Sequence, residues 1–114
     1  MPKRPLLGLT EKITLIGPEA EKTVIARIDS GATNSSIDSS LAKKLKLGPI
    51  VKKKLVKSAR GSTIRPFIIV KIKLGQKSIE NEFNLARRGH MKYPVLIGQN
   101  ILKEGKFLID PLKK

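Results

Sequence analysis

One carboxylate stands out among the residues able to do chemistry. Asp29, in Asp29-Ser30-Gly31-Ala32, sits where an alternating apolar run ends and a glycine breaks the pattern. Aspartate can act as a general acid or base; the plainer reading of Asp-Ser-Gly after a strand is an Asx turn. The other aspartates are Asp38 and Asp110, which read as a helix cap and a chain-end turn. With no Cys and a single His, His90, there is no disulfide framework and no cluster supplying the three or four ligands of a zinc site. Neither a Gly-x-x-x-x-Gly-Lys-Ser/Thr phosphate loop nor a His-Glu-x-x-His pair occurs. The reading is therefore no metal and no cofactor.

The elements that must hold Asp29 are mostly strands. Apolar residues fall in short runs of period two, separated by Gly, Pro, Asn and Ser. Ile13–Ile16, closed by Gly17-Pro18, is the first convincing strand, and Thr23–Ile28 is the next, running straight into Asp29. Asp38-Ser39-Ser40 followed by Leu41 to Leu47 and Gly48-Pro49 predicts a two-turn helix, with a cap, Leu41 and Leu45 four apart, late lysines and a Gly-Pro stop. Val51–Ser58 and Thr63–Leu74 are the arms of a hairpin with Ala59-Arg60-Gly61-Ser62 at its tip. On the second arm Ile68, Val70, Ile72 and Leu74 face one way, Lys71 and Lys73 the other. Beyond Gly75-Gln76, another strand buries Ile79, Phe83 and Leu85 and leaves Glu80 and Glu82 wet. Residues 87–92 read as an exposed loop. Tyr93–Gly98 is a continuous apolar run, the mark of a strand buried on both faces, followed by one helical turn over 99–104 and a short strand ending in Ile109-Asp110-Pro111. The expected class is all-β with one short helix, in a single domain spanning 1–114.

The run Val24-Ile25-Ala26-Arg27-Ile28-Asp29-Ser30-Gly31-Ala32-Thr33-Asn34-Ser35-Ser36-Ile37 resembles the active-site segment of retropepsin-like aspartic peptidases. Val95-Leu96-Ile97-Gly98-Gln99-Asn100-Ile101-Leu102 resembles that family's late apolar-apolar-Gly strand and following short helix. More narrowly, Asp-Ser-Gly-Ala with the late Tyr-Pro-Val-Leu-Ile-Gly and Ile-Asp-Pro is similar to the bacterial and archaeal branch labelled ATP-dependent zinc proteases, although these residues support neither the zinc nor the ATP. The resemblance implies a closed acid-protease barrel that is half of a two-fold dimer. Its catalytic residue would be Asp29 and its active-site support Ser30, Gly31, Ala32 and Gly98.

Only one Asp-Ser/Thr-Gly is present, so the implied second carboxyl comes from a second copy. Two such groups within ~3 Å cannot both ionise, and the pair holds one proton: one acid, one base. Ser30 would hydrogen-bond across the dimer axis, Gly31 would let its N–H approach the carboxylate, and the hairpin tip at Ala59, Arg60, Gly61 and Ser62 would be a flap over substrate. The terminal candidates for interlocking the dimer are Leu6 to Leu9 and Phe107 to Ile109. Where retroviral relatives carry an Arg paired with an acid, this chain has Gln99 and Thr33, so both halves of the ion pair are replaced together.

Charge bears on partners. The 24 Lys and Arg against 9 Asp and Glu give a net +15, and every charged residue between Asp38 and Glu80 is basic. Such a surface attracts polyanions, and it is equally the pattern of a plain solvated face. It suggests an acidic peptide substrate, glutamate-rich in view of that branch's association with glutamate ligases, with nucleic acid a secondary partner. The four aromatics, Tyr93, Phe67, Phe83 and Phe107, are too few for stacking on single strands. No run approaches a membrane span, and MPKRPLLGLTEK lacks a signal peptide's apolar stretch, so the expected setting is soluble and cytoplasmic. The leading function is an aspartic endopeptidase. The alternatives are a non-catalytic basic binding module on the same fold and a structural dimerisation domain.

Overall fold

A computed structural model describes residues 3–59 and 61–114, with the backbone alone at 58; Arg60, assigned to the hairpin tip, lies outside the described residues. The strands are β1 Leu6–Leu7, β2 Thr10–Ile16, β3 Glu21–Ile28, β4 Ser35–Asp38, β5 Ile50–Ser58, β6 Gly61–Leu74, β7 Lys77–Ala86, β8 Val95–Ile97 and β9 Leu108–Ile109. Two six-residue helices, α1 Ser39–Lys44 and α2 Gln99–Glu104, complete the described elements. Among the described residues no helix is long and apolar enough to cross a membrane.

The main sheet runs β2-β3-β8-β4-β7-β6-β5, and β2 pairs again with β6 through Ile13↔Leu74 to Ile16↔Lys71. That second pairing closes six strands into a barrel and leaves β5 attached only to β6. Period-two alternation explains the filling: Ile13 and Leu15 from β2, Ala26 and Ile28 from β3, and Ile68, Val70, Ile72 and Leu74 from β6 all point inward and are buried. Ile79 and Phe83 of β7 are buried as their spacing predicts, and Leu85 packs half-buried against the same core.

Several local features depart from expectation. Helix α1 is capped by Asp38, whose Oδ2 accepts from the Leu41 N–H at 3.2 Å. It stops at Lys44, short of Gly48, because Lys46 already adopts a left-handed φ of 55°. The strand expected over Tyr93–Gly98 is ordered only as Val95–Ile97, with Val95 and Ile97 fully buried. Strand β4 has no apolar alternation to announce it, yet all four of its residues are buried, pairing with β7 on one side and β8 on the other. Arg88, placed by sequence in an exposed loop, is only 7% exposed. Its backbone N–H donates to Asp38 Oδ1 at 2.8 Å and its Nε to the Tyr93 carbonyl at 3.1 Å, which draws the side chain inward.

The two ends of the chain meet in a separate parallel pair, β1 with β9, in register Leu6↔Leu108 and Leu7↔Ile109. Arg4 donates from Nε to the Lys106 carbonyl and from NH2 to the Phe107 carbonyl. Lys113 donates to the Leu6 carbonyl and ion-pairs with Glu11 at 2.8 Å. The terminal segments are thus tied to one another within the subunit.

Candidate active site

Asp29 follows the last residue of β3, and three backbone contacts fix its position. The Ile28 N–H donates to the Leu9 carbonyl, the Asp29 N–H to the Ile97 carbonyl, both at 2.9 Å, and the Ala32 N–H to the Asp29 carbonyl at 3.2 Å. The loop therefore hangs between the start of β2 and the end of β8. The Gly31 N–H donates to Asp29 Oδ1 at 2.9 Å, which holds the carboxylate in one orientation. A Cβ at Gly31 would lie 3.2 Å from that oxygen, so a side chain there would press on the group it supports.

Gly98 closes the floor. A Cβ on it would collide with the carbonyl oxygens of Asn34 and Ala32, backbone atoms that cannot move without displacing the Asp29 loop. Its N–H donates to Ser35 Oγ at 2.9 Å, and Ser35 Oγ donates to Asn100 Oδ1 at 2.7 Å. Asn100 Nδ2 in turn donates to the Glu82 carbonyl at 2.9 Å. This chain crosses from β8 through β4 and α2 to β7, and it pins the floor to the barrel. From the other side, the Gln99 N–H donates to the Ala32 carbonyl and Gln99 Nε2 to the Ser30 carbonyl, both at 2.8 Å. Gln99 thereby braces the loop with a neutral amide, which needs no counter-charge at Thr33.

A cleft of about 1080 Å³ opens over Asp29. Gly31 and Ala32 line it, as does Ala59 of the hairpin turn, while Gly61 and Ser62 do not. The last pair of the hairpin is Ser58↔Gly61, and Gly61 adopts a positive φ of 112°, a conformation that glycine takes without strain. β6 pairs with β7 only from Phe67 onward, whereas β5 and β6 stay paired to the tip. The hairpin thus projects beyond the barrel as an arm over the cleft.

The cleft is cationic, since Lys54, Lys57, Arg65, Arg87 and Arg88 line it with Asp29. Ser36 Oγ donates to Asn84 Oδ1 at 2.8 Å, and Arg65 NH1 reaches the same oxygen at 3.3 Å, joining the arm's base to the floor. Burial pushes the Arg88 guanidinium below the usual arginine range, and repulsion from Arg65 and Arg27 adds to this while Asp38 and Asp29 oppose it. Arg27 and Arg88 carry no motif; the only signal for Arg27 is its place on β3 two residues before Asp29.

The comparisons with known proteins agree with this architecture. A family model described as RimB-like, "Retropepsin-like aspartic endopeptidase RimB", matches residues 38–114, a stretch that begins beyond Asp29. No curated protein matches the chain. A Legionella pneumophila protein of unknown function superposes with a TM-score of 0.73 at 24% identity, over 98% of this chain and 97% of that one. EIAV protease complexed with an inhibitor gives 0.71 at 18% identity, over 95% and 93%. The simian foamy virus protease gives 0.61 at 16%, over 82% and 91%. At these identities the structures establish a shared fold, and the matched family model establishes kinship: the chain belongs to the RimB-like family of retropepsin-like aspartic endopeptidases.

Proposed function

We propose that this chain is one subunit of a homodimeric aspartic endopeptidase. The observation that carries the reading is the Asp29 carboxylate, oriented by the Gly31 N–H at 2.9 Å at the base of a cleft of about 1080 Å³. One subunit offers one such group, so the dyad requires Asp29 from each of two copies across a two-fold axis. Two carboxyls sharing one proton divide the work. The ionised Asp29 takes a proton from water as that water attacks the scissile carbonyl; the protonated one stabilises the oxyanion, and a proton then passes to the departing amine. In this reading Ser30 bonds across the axis, while Gly31, Ala32 and Gly98 hold the loop. The hairpin at Ala59, Arg60, Gly61 and Ser62 covers the substrate.

The basic cleft favours acidic peptides, glutamate-rich ones included. The finer kinship is with the branch labelled ATP-dependent zinc proteases, on the strength of Tyr93 to Gly98 and Ile109-Asp110-Pro111. Among the described residues no three His, Cys, Asp or Glu side chains converge, so the residues present do not fit the zinc in that label, and no step runs through it.

The test is Asp29→Asn, an isosteric change expected to keep fold and dimer and to abolish cleavage of acidic peptides by the purified chain. Cleavage that persists in this variant removes Asp29 from the mechanism. A second reading, a non-catalytic basic module that holds nucleic acid or an acidic partner, draws on the +15 charge. It predicts polyanion binding that weakens linearly with log salt and is indifferent to Asp29→Asn.

A further inference from the structure

Beside the main cleft lies a second, smaller cavity of about 350 Å³ that also borders Asp29. Its charged lining is Arg27, Arg88 and Lys92 against the one carboxylate, and Met91, Tyr93 and Leu96 supply the rest of the wall. Arg27 lies on β3 two residues before Asp29, which follows the strand's last residue, and both border the cavity. Arg88 is held from behind by Asp38 and the Tyr93 carbonyl. Its Nε is spent on that carbonyl, and no described residue accepts a hydrogen bond from its terminal nitrogens. Every buried side-chain nitrogen or oxygen among the described residues has a partner, so those nitrogens are accessible to solvent, and Arg88 borders this cavity as well as the main cleft. Lys92 lies along the rim, its Nζ 5.6 Å from the centre of the Tyr93 ring.

The charges in this corner do not balance. Both oxygens of Asp38 are engaged by backbone N–H groups, those of Leu41 and Arg88. Asp29 is committed to the Gly31 N–H, and in the dyad it shares its charge with the partner copy. Two guanidinium groups and an ammonium therefore border a space large enough for one side chain, against the single carboxylate of Asp29. A carboxylate is the group that matches a guanidinium's paired donors, and its charge would relieve the repulsion between Arg27 and Arg88.

We propose that this cavity is the subsite for an acidic side chain on a substrate residue flanking the scissile bond, with Arg27 and Arg88 as its specificity-determining residues. The proposal rests on the peptidase reading and sharpens it. Long-range attraction by the +15 subunit would draw any polyanion, whereas this site selects one carboxylate at one position in the peptide. Because Arg27 and Arg88 belong to the barrel and its β7–β8 loop, the selection does not depend on the hairpin arm.

The test separates this subsite from general charge attraction and from the peptidase reading. Three labelled peptides are used: an end-capped octapeptide whose only charged residue is one central Glu, its central-Gln counterpart, and an isomer of the first with the Glu moved to the end. Binding is measured by fluorescence anisotropy on the full-length Asp29→Asn chain, and cleavage on the wild-type chain. The central-Glu peptide should bind at least ten-fold tighter than the other two. Adding Arg27→Gln, an exposed position, should bring the three affinities together, and Arg88→Met should do the same if it folds. Equal affinity for the three peptides, or a preference that survives Arg27→Gln, overturns the proposal. Selective binding without cleavage by the wild-type chain leaves the subsite standing and removes the peptidase reading. Cleavage of central-Glu and central-Gln peptides with equal kcat/KM does the opposite.

Discussion

Removing one hydroxyl, Ser35→Ala, tests whether the floor beneath Asp29 is held as described. Ser35 is fully buried, and its Oγ has two partners: it accepts from the Gly98 N–H at 2.9 Å and donates to Asn100 Oδ1 at 2.7 Å. Gly98 cannot turn its N–H elsewhere, because the Asn34 and Ala32 carbonyls pack against its α-carbon. The variant leaves a buried donor unsatisfied, at about 1–3 kcal/mol, and strips a partly buried acceptor that water can reach, at about 0.5–1.5 kcal/mol. The sum is about 1.5–4.5 kcal/mol.

The adjacent Ser36→Ala is the control. Ser36 Oγ donates to Asn84 Oδ1 at 2.8 Å, but that oxygen keeps Arg65 NH1 at 3.3 Å, so only about 0.5–1.5 kcal/mol should go. Urea unfolding at one fixed protein concentration reads the difference. With an m-value of about 1.5 kcal/mol/M, Ser35→Ala should lower the midpoint by about 1–3 M and Ser36→Ala by less than about 1 M. Equal shifts in the two variants would refute the claim that the Gly98 N–H depends on Ser35.

Two further outcomes follow from the same contacts. Asp38→Ala removes the α1 cap, worth ~1 kcal/mol, and also orphans the buried Arg88 N–H, for ~1–3 kcal/mol more; thermal or urea unfolding should show a loss near the sum, and a loss of the cap alone would detach Arg88 from Asp38. Gly98→Ala forces a methyl group against two backbone carbonyls, so it should lower stability by at least ~1–3 kcal/mol and, in NMR spectra, shift the amides of residues 29–34 selectively; an unperturbed loop would contradict the packing.

What the sequence makes legible is what period two and glycine announce. The alternation in β2, β3, β6 and β7 marks the buried faces, and Gly31 and Gly98 mark the places where backbone must come close. Strand β4 was hidden because Ser35, Ser36 and Asp38 are polar yet buried, and each is satisfied by a partner distant in sequence: Asn100, Asn84 and the Arg88 N–H. No local pattern encodes a partner about fifty residues away. Arg88 was misplaced for a related reason. A run of basic and small residues reads as a wet loop, and only the fold reveals that Asp38 and the Tyr93 carbonyl draw this one arginine under the surface.

The exchange at Gln99 and Thr33 fits the same electrostatic setting. The brace of the Asp29 loop is the neutral Gln99 amide on the Ser30 carbonyl at 2.8 Å. A neutral brace adds no charge to a corner that already holds Arg27, Arg65 and Arg88, where burial first, and then repulsion from Arg65 and Arg27, depress Arg88. An arginine at 99 without an acid at 33 would add a fourth cation beside Asp29, and an acid at 33 would put a negative charge on the wall of the main cleft. With Gln99 and Thr33 both neutral, the loop stays braced and the positive charge of this corner stays unneutralised.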